Sequence, residues 1–412
     1  MLLVLGSDSK VAIREGSATD CTATEPRRAR PVPQTGSPVP PRPLKCLFVV
    51  QGEGRGHMTQ AIALRQLLEE AGHEVCLTMV GKSRFRSLPR FFEERMGGAV
   101  TSFESPVLVA NRRGQGVSVT RTALHSVLSL PSYTASVFRI RREISRHNPD
   151  IVINFFDLMC SISFLLRVRR PKHVCIGHQF YFQHPDFESP PGGRLGRLAL
   201  RVLIRCTALR SDLRLALSYR AGEPVGHGLR VVAPLIRSEI LDADASDGPH
   251  LLVYLLNPGY AEQIEDWHRA NPGQKIHGFW DREGTSPETT LAEGLTFHVL
   301  DDRKFVRLLS GCRALVTTAG FESVCEARYL GKPVLIVATE GHAEQRCNAA
   351  DAHAAGAAVW ADRFDLGLLD SMVGDPLDRE RFRAWVDRSR GEPARLIEDV
   401  VMGRSGFAED GI

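Results

Sequence analysis

A continuous apolar run leads directly into a glycine-rich turn at residues 45–57, KCLFVVQGEGRGH. Unbroken apolar residues are typical of a parallel strand covered on both faces, and the glycines after it permit a tight turn. An amphipathic helical pattern follows over residues 58–71, and a second apolar run covers 74–80. Strand, glycine turn, helix and strand within about 35 residues predict a βαβ unit.

The same alternation continues along the chain and restarts once. A mostly helical stretch, 121–147, is interrupted at Pro131, and strands are predicted at 151–155, 173–176 and 213–217. After a polar linker a new apolar run begins at residue 250, followed by predicted strands at 275–279, 296–300, 314–317, 333–337 and 357–360. We therefore predict an α/β protein made of two doubly wound, Rossmann-like domains that face a cleft.

Three segments follow from this pattern. Residues 1–43 are rich in Pro, Ser, Thr and Arg and lack periodic apolar residues, so we predict a disordered tail there. The N-terminal domain is predicted at 44–240 and the C-terminal domain at 249–403.

The composition predicts a cytoplasmic globular protein. The chain has 412 residues, of which 43% are apolar and 24% charged. Its nine cysteines form no CxxC pair, which favours a reducing compartment and argues against a cysteine zinc site. The sequence shows neither a signal peptide nor a transmembrane pattern.

Charge is distributed unevenly between the two halves. The net charge is only +4, but residues 45–235 carry +13 and residues 236–412 carry −11. This asymmetry indicates an anionic partner, such as a phospholipid surface or a phosphate-bearing acceptor, and nothing points to nucleic acid. A compositional bias toward arginine is the alternative explanation.

The first glycine turn has the spacing G-x-G-x-G, formed by Gly52, Gly54 and Gly56. A dinucleotide fold uses G-x-G-x-x-G with an acidic residue after the second strand, whereas residues 79–82 read MVGK. These differences argue against a hydride-transfer enzyme. A glycine turn at a helix start is a weak indication of phosphate or sugar binding.

A more specific motif covers residues 317–327, TTAGFESVCEA, followed by Gly-Lys-Pro at 331–333 and EQRCN at 344–348. The pattern predicts a strand, a glycine turn, a helix, a strand, a polar loop and another helix. Glu326 is suited to accept two hydrogen bonds from a ribose diol, and Gln345 and Asn348 share one helical face. For any one of the three taken alone, an ordinary polar helix surface is the favoured interpretation.

Together these motifs resemble the GT-B glycosyltransferases. The resemblance is to relatives of the peptidoglycan N-acetylglucosaminyltransferase that makes lipid II and of the glucuronosyl- and plant secondary-metabolite transferases, in an uncharacterised bacterial branch. It spans about residues 45–360 and implies a C-terminal domain that binds a nucleotide sugar and an N-terminal domain on the acceptor side.

The resemblance also implies roles for individual residues. Glu326 binds the donor ribose, the turn at residues 320–323 holds the diphosphate, and Gln345 and Asn348 contact the donor sugar. The implied donor-binding residues are Gly320, Phe321, Glu322, Ser323, Glu326, Glu344, Gln345 and Asn348, and the implied diphosphate and acceptor loop contains Gly52, Gly54, Arg55 and Gly56.

Two departures limit what can be carried over. Glu53 and Arg55 stand where the lipid II enzyme has small residues, so acceptor choice cannot be inherited from it. The donor loop lacks the tryptophan-rich box of the plant enzymes, which leaves the sugar open.

His57 is the candidate catalytic base, because an imidazole at a helix start can take the proton of an acceptor hydroxyl. A capping or phosphate-binding histidine is the alternative. Asp157 follows the strand at 151–155 and either orients His57 as a dyad or caps the helix that begins near Leu158.

The resulting functional hypothesis is a glycosyltransferase that uses a UDP-linked sugar, inverts the anomeric carbon and needs no metal or other cofactor. A UDP-sugar 2-epimerase and a catalytically silent sugar-nucleotide-binding protein are the alternatives. The acceptor is a lipid or a small molecule.

Residues 194–210 alternate arginines and leucines at helical spacing. Such a helix either lies on an anionic membrane, which would make the protein peripheral on the inner face, or buries its leucines in the core.

Overall fold

The computed structural model describes residues 42–404, with gaps at 85–86, 108, 110–117, 166–170, 227, 256–257, 281–285 and 373–375. The predicted disordered tail lies outside the described residues, apart from Arg42 and Pro43. Arg42 donates hydrogen bonds of 2.9 and 2.5 Å to the carboxylate of Asp150. The described residues all belong to one compact unit.

The first part of this unit is a parallel sheet with helices on its faces. Its strands are β1 (Lys45–Gln51), β2 (Glu74–Lys82), β3 (Val100–Glu104), β4 (Ile151–Phe155), β5 (Lys172–Gly177), β6 (Leu213–Leu217) and β7 (Leu229–Val232). Within the described residues they pair in the order β3-β2-β1-β4-β5-β6-β7, all parallel. The helices are α1 (Arg55–Glu70), α2 (Arg90–Met96), α3 (Val119–Leu128), α4 (Leu130–His147), α5 (Leu158–Leu165), α6 (Arg194–Cys206) and α7 (Ser238–Leu241), with a 3₁₀ helix at His178–Gln183.

The second part repeats the architecture. Its strands are β8 (His250–Leu255), β9 (Lys275–Trp280), β10 (Glu288–Ala292), β11 (Leu295–Val299), β12 (Ala314–Thr317), β13 (Val334–Val337) and β14 (Val359–Ala361). In the described part they pair as β10-β11-β9-β8-β12-β13-β14, with β10 antiparallel to β11. The helices are α8 (Ala261–Ala270), α9 (Asp302–Ser310), α10 (Phe321–Tyr329), α11 (Ala343–Ala354), α12 (Pro376–Ser389) and α13 (Glu392–Met402), with 3₁₀ turns at Pro258–Tyr260 and Leu366–Ser371.

Both glycine motifs lie where the strand order of their own sheet reverses. β1 lies between β2 and β4, and β12 lies beside β8. Ligands of open α/β sheets bind beyond the carboxyl ends of the strands at such points. The turn after β1 and the turn after β12 therefore face the same cleft, as the predicted fold of two doubly wound domains requires.

The chain returns to the first domain before it ends. The last helix, α13, packs against α1. His73 and Glu398 form a buried contact of 3.0 Å, and Arg390 donates to Glu70 across 2.8 Å. The range 249–403, predicted from the sequence as the C-terminal domain, thus includes α13, a helix that packs against the N-terminal domain.

The helical stretch before β4 is two helices rather than one. Helix α3 ends at Leu128, α4 begins at Leu130, and Pro131 occupies the first turn of α4, where its missing N–H costs nothing. Among the described helices, none combines the length and apolarity needed to cross a bilayer.

Candidate active site

A cavity of about 540 Å³ lies between the two domains. Residues from both glycine motifs line it, and the volume is in the range of ligand pockets. The helices α1 and α10 both begin at its wall, after Gly54 and Gly320. Because helix N-termini favour anions, two of them at one cavity make a site suited to a diphosphate.

Most of the predicted site residues line this cavity. The predicted residues that line the cavity are Gly54, Arg55, Gly56, His57, Gly320, Phe321, Glu322, Ser323, Glu326, Glu344, Gln345 and Asn348.

Gly52 has a different role from the one predicted. Its N–H donates to the carbonyl of Gly81 across 2.7 Å. A Cβ at this position would lie 2.6 Å from Val80 Cγ1. Gly52 is therefore required for the close approach of the loop to β2, and its amide is not available to a diphosphate.

A chain of hydrogen bonds crosses the cleft and passes through His57. Gln179 Nε2 lies 3.0 Å from Glu344 Oε1 and 3.3 Å from His57 Nε2. His57 Nδ1 lies 3.1 Å from Gln60 Oε1, and Gln60 Nε2 donates to Glu322 Oε1 across 2.8 Å. This series of hydrogen bonds connects, in order, Glu344, Gln179, His57, Gln60 and Glu322. Its two end residues belong to the second domain and its three middle residues to the first.

The carboxylate of Glu344 determines which ring nitrogen of His57 carries the proton. A carboxylate only accepts, so the Gln179 amide nitrogen faces Glu344 and also donates to His57 Nε2. Nε2 is then the unprotonated nitrogen, and Nδ1–H donates to Gln60. Burial lowers the pKa of His57, with an opposing effect of the Glu344 carboxylate. His57 is therefore a neutral imidazole whose basic nitrogen is Nε2.

The predicted dyad between Asp157 and His57 is wrong. Asp157 Oδ1 accepts from Cys160 N at 2.9 Å, and Oδ2 accepts from Ser105 at 2.7 Å. Both ring nitrogens of His57 instead contact the glutamine amides. Burial raises the pKa of Asp157 to about 6. Its position at the start of α5 makes it a helix cap, the alternative that the sequence left open.

Glu326 is already held by an arginine that the sequence did not single out. Arg237 Nε and Nη2 donate to the two oxygens of Glu326 at 2.6 and 2.9 Å, and both side chains are buried. Arg237 Nη1 also contacts Asp302. All three line the cavity, so a ribose at Glu326 would share the carboxylate with Arg237.

Two side chains of the polar helix α11 bind the backbone of neighbouring turns. Gln345 Oε1 accepts from Thr339 N at 2.8 Å, and Asn348 Nδ2 donates to the carbonyl of Ala319 at 2.9 Å. Ala319 has φ 59°, a strained value for a residue with a Cβ. Asn348 thus holds the strained turn at the start of α10, and its Oδ1 has no partner among the described residues.

Sequence reasoning missed the residues that act by reaching across the cleft. Gln60 lies one turn after His57 on α1, and that spacing was a usable signal. Arg237 and His342 gave no comparable signal, because only folding brings them to the cavity. His178 follows β5, and its ring stacks on Phe321, with 4.1 Å between centroids.

Comparisons with known proteins agree with this geometry. The model of a protein family described as glycosyl transferase family 1 matches residues 44–375. An uncharacterized glycosyltransferase of Methanosarcina acetivorans is 26% identical over 328 residues, which are 74% of this chain and 80% of the relative.

Solved structures with the same fold are also glycosyltransferases. The glycotransferase of kitacinnamycin aligns with a TM-score of 0.58 and 16% identity over 88% of this chain and all of that one. The spinosyn rhamnosyltransferase SpnG, complexed with thymidine diphosphate, aligns with a TM-score of 0.53 and 13% identity over 86% of this chain and all of that one.

The fold is that of the GT-B glycosyltransferases. The chain belongs to glycosyl transferase family 1. The family match confirms the enzyme class expected from the sequence, a glycosyltransferase.

Proposed function

We propose that this enzyme transfers a sugar from a pyrimidine nucleoside diphosphate, with UDP as the first candidate, to an acceptor hydroxyl, with inversion and without a metal ion. The observation that carries the proposal is the position of His57. Its unprotonated Nε2 lines a cavity at which two helix N-termini begin.

In the proposed reaction His57 Nε2 takes the proton of the acceptor hydroxyl as its oxygen attacks the anomeric carbon. The acceptor displaces Gln179 from Nε2 in this step, because that nitrogen has a single lone pair. The diphosphate departs toward the first turns of α1 and α10, whose amides stabilise it. Attack opposite the leaving group gives inversion.

Two separate observations bear on the choice of nucleotide. The sequence resemblance implies UDP, whereas one structure with the same fold was solved with thymidine diphosphate. Both are pyrimidine nucleoside diphosphates, so the donor test must include sugars linked to each.

Release of nucleoside diphosphate without acceptor tests the proposal. UDP- and dTDP-linked sugars are incubated with the enzyme, with and without EDTA, and free UDP or dTDP is measured. We expect slow release that EDTA does not change and that falls about 10²–10⁴-fold in His57→Ala, with donor affinity nearly unchanged. Absence of release from every donor would contradict the proposal, and loss of release in EDTA would contradict metal independence.

We also propose that the acceptor is presented at an anionic membrane surface. On α6, Leu200 and Ile204 are buried, whereas Leu195 and Leu198 are 84% and 59% exposed. Arginines 194, 201 and 205 are exposed on the same helix, and Leu203 lines the cavity. Exposed leucines beside arginines match a surface of acyl chains and anionic headgroups.

A second exposed apolar surface adjoins the cavity. On α3, Thr122 and Ser126 line the cavity, and Leu124, Val127 and Leu128 are more than half exposed. A cavity flanked by two exposed apolar helices suits a lipid-linked or otherwise amphipathic acceptor.

A further inference from the structure

Glu322 is a buried acid that forms no ion pair with a described residue. Its side chain lies in the first turn of α10 and is 5% exposed. Oε1 accepts from Gln60, and Oε2 has no hydrogen-bond partner in the part of the chain that the structure describes. A Cβ on Gly56 would lie 3.5 Å from Glu322 Cγ, so the side chain also rests against the first turn of α1.

The hydrogen-bond chain assigns the proton on this acid. Because Gln60 accepts from His57 through Oε1, its amide nitrogen must face Glu322 Oε1. Oε1 is then an acceptor, and a proton on Glu322 is carried by the unpartnered Oε2. Glu322 lines the cavity at the start of α10, but Oε2 itself is buried, so the carboxyl group must turn toward a ligand in the cavity to donate this proton.

Several charges face Glu322, and burial outweighs them. Burial raises its pKa to about 8, with Gln60 and Arg237 opposing the rise and Glu326 adding to it. The helix dipoles of α1 and α10 favour the anion by about 0.3–1 kcal/mol each, which is less than one pKa unit apiece. The groups facing this carboxyl are Gln60 on α1, Cys325 and Glu326 on α10, Arg237 in the linker, Tyr219, and His57 through Gln60.

We propose that Glu322 is a catalytic acid that donates its Oε2 proton to the departing diphosphate. The inference rests on the proposed function. As the acceptor oxygen bonds to the anomeric carbon, the carbon–oxygen bond to the diphosphate breaks and its electron pair stays on the phosphate oxygen. His57 receives the acceptor proton, Glu322 loses its own to that phosphate oxygen, and both groups exchange protons with solvent after product release.

Electrostatics favours a neutral acid at this position. A carboxylate beside a diphosphate would repel it, whereas a protonated carboxyl donates a hydrogen bond. Binding of the diphosphate raises the pKa of Glu322 further, since a nearby negative charge disfavours ionisation. The donor thereby keeps the acid protonated until the bond breaks.

Glu322→Gln tests the step because it keeps the size of the side chain and replaces the O–H donor of the acid by an amide N–H, which has no acidic proton to transfer. The full chain is assayed for acceptor-free release of UDP or dTDP between pH 6 and 9, and UDP affinity is measured by calorimetry. Glu262→Gln, at an exposed position on α8, is the matched control.

For Glu322→Gln we expect kcat about 10²-fold or more below wild type, with UDP affinity within about threefold. The fall in wild-type kcat as Glu322 ionises above neutral pH should be absent from the variant. A variant with wild-type kcat and the same alkaline limb overturns the proposal, as does weaker UDP binding with unchanged kcat. If wild-type enzyme releases no nucleotide from any donor, the proposed function itself has failed.

Discussion

At the scale of single residues, Glu322 is an acid of the cleft that folding makes weaker, because burial raises its pKa to about 8. Between the ordinary pKa of glutamate and this value, the folded protein binds a proton that the unfolded chain has lost. The free energy of unfolding therefore falls as pH rises through this window, by about 1.4 kcal/mol for each pKa unit.

Glu322→Gln should therefore stabilise the protein at neutral and alkaline pH. We expect the melting temperature of the variant to exceed that of wild type by an amount that grows from pH 5 to pH 8. Thermal unfolding across this range measures it. A difference independent of pH would mean that Glu322 keeps an ordinary pKa in the folded protein.

Asp157 should matter for stability rather than for proton transfer. Asp157→Asn keeps a side-chain oxygen that can accept from the start of α5, whereas Asp157→Ala removes both acceptors. We expect Asp157→Ala to lose about 1–3 kcal/mol of unfolding free energy, and Asp157→Asn to retain donor-hydrolysis activity within about tenfold. If Asp157→Asn lost as much donor-hydrolysis activity as His57→Ala, the result would support the dyad between Asp157 and His57.

At the scale of elements, α6 differs from an ordinary surface helix. Its buried stripe contains only Leu200 and Ile204 among the residues of the helix, although the chain offers five further apolar side chains larger than alanine there. Its leucines therefore do not simply face the core, the alternative left open by the sequence. Exposed apolar side chains beside arginines are more stable in contact with an anionic lipid surface than in water.

Sedimentation with liposomes tests this surface. We expect binding to vesicles with anionic lipid, little with neutral lipid, and a decrease as salt rises from about 0.05 to 0.5 M, because the Debye length shrinks. Leu198→Asp should weaken binding more than Leu377→Asp, a control at an equally exposed leucine, 59% in both cases, on α12. Protein that stays in solution with anionic vesicles at low salt would leave a soluble acceptor as the better proposal.

At the scale of the whole molecule, ion pairs join the linker between the two sheets to the proposed donor site. Arg237 precedes α7 and binds Glu326 on α10 and Asp302 on α9. Arg95 on α2 contacts Glu239 and, at 3.5 Å, Asp302. Removal of one member of a buried pair costs about 3–5 kcal/mol, so Glu326 supports the molecule as well as the proposed ribose site.

A double variant separates these two contributions. Glu326→Gln alone should lower the free energy of unfolding, and Arg237→Met with Glu326→Gln should recover part of it. If Glu326 binds the ribose, UDP affinity stays about 1.5–3 kcal/mol weaker in both variants. Calorimetry showing wild-type UDP affinity in the stable double variant would remove Glu326 from the donor site.

Local patterns were sufficient for most of the architecture. Strands at Ile151–Phe155, Leu213–Leu217 and Ala314–Thr317 have the predicted bounds, because each is an apolar run between turn residues. β3, β7 and β10 were not predicted. All three are edge strands of their sheets in the described residues, and polar residues interrupt their apolar pattern. The positions of both glycine motifs at strand ends also followed from the sequence.

The sequence by itself therefore specified two doubly wound domains and the side chains offered at each strand end, because strand and helix periods are local properties. The tertiary structure specified which of those side chains meet. Gln60 and Glu322 are separated by 262 residues, and Arg237 and Glu326 by 89. Their contacts, the tautomer of His57 and the raised pKa of Glu322 depend on burial between two domains, and no pattern along the chain contains that information.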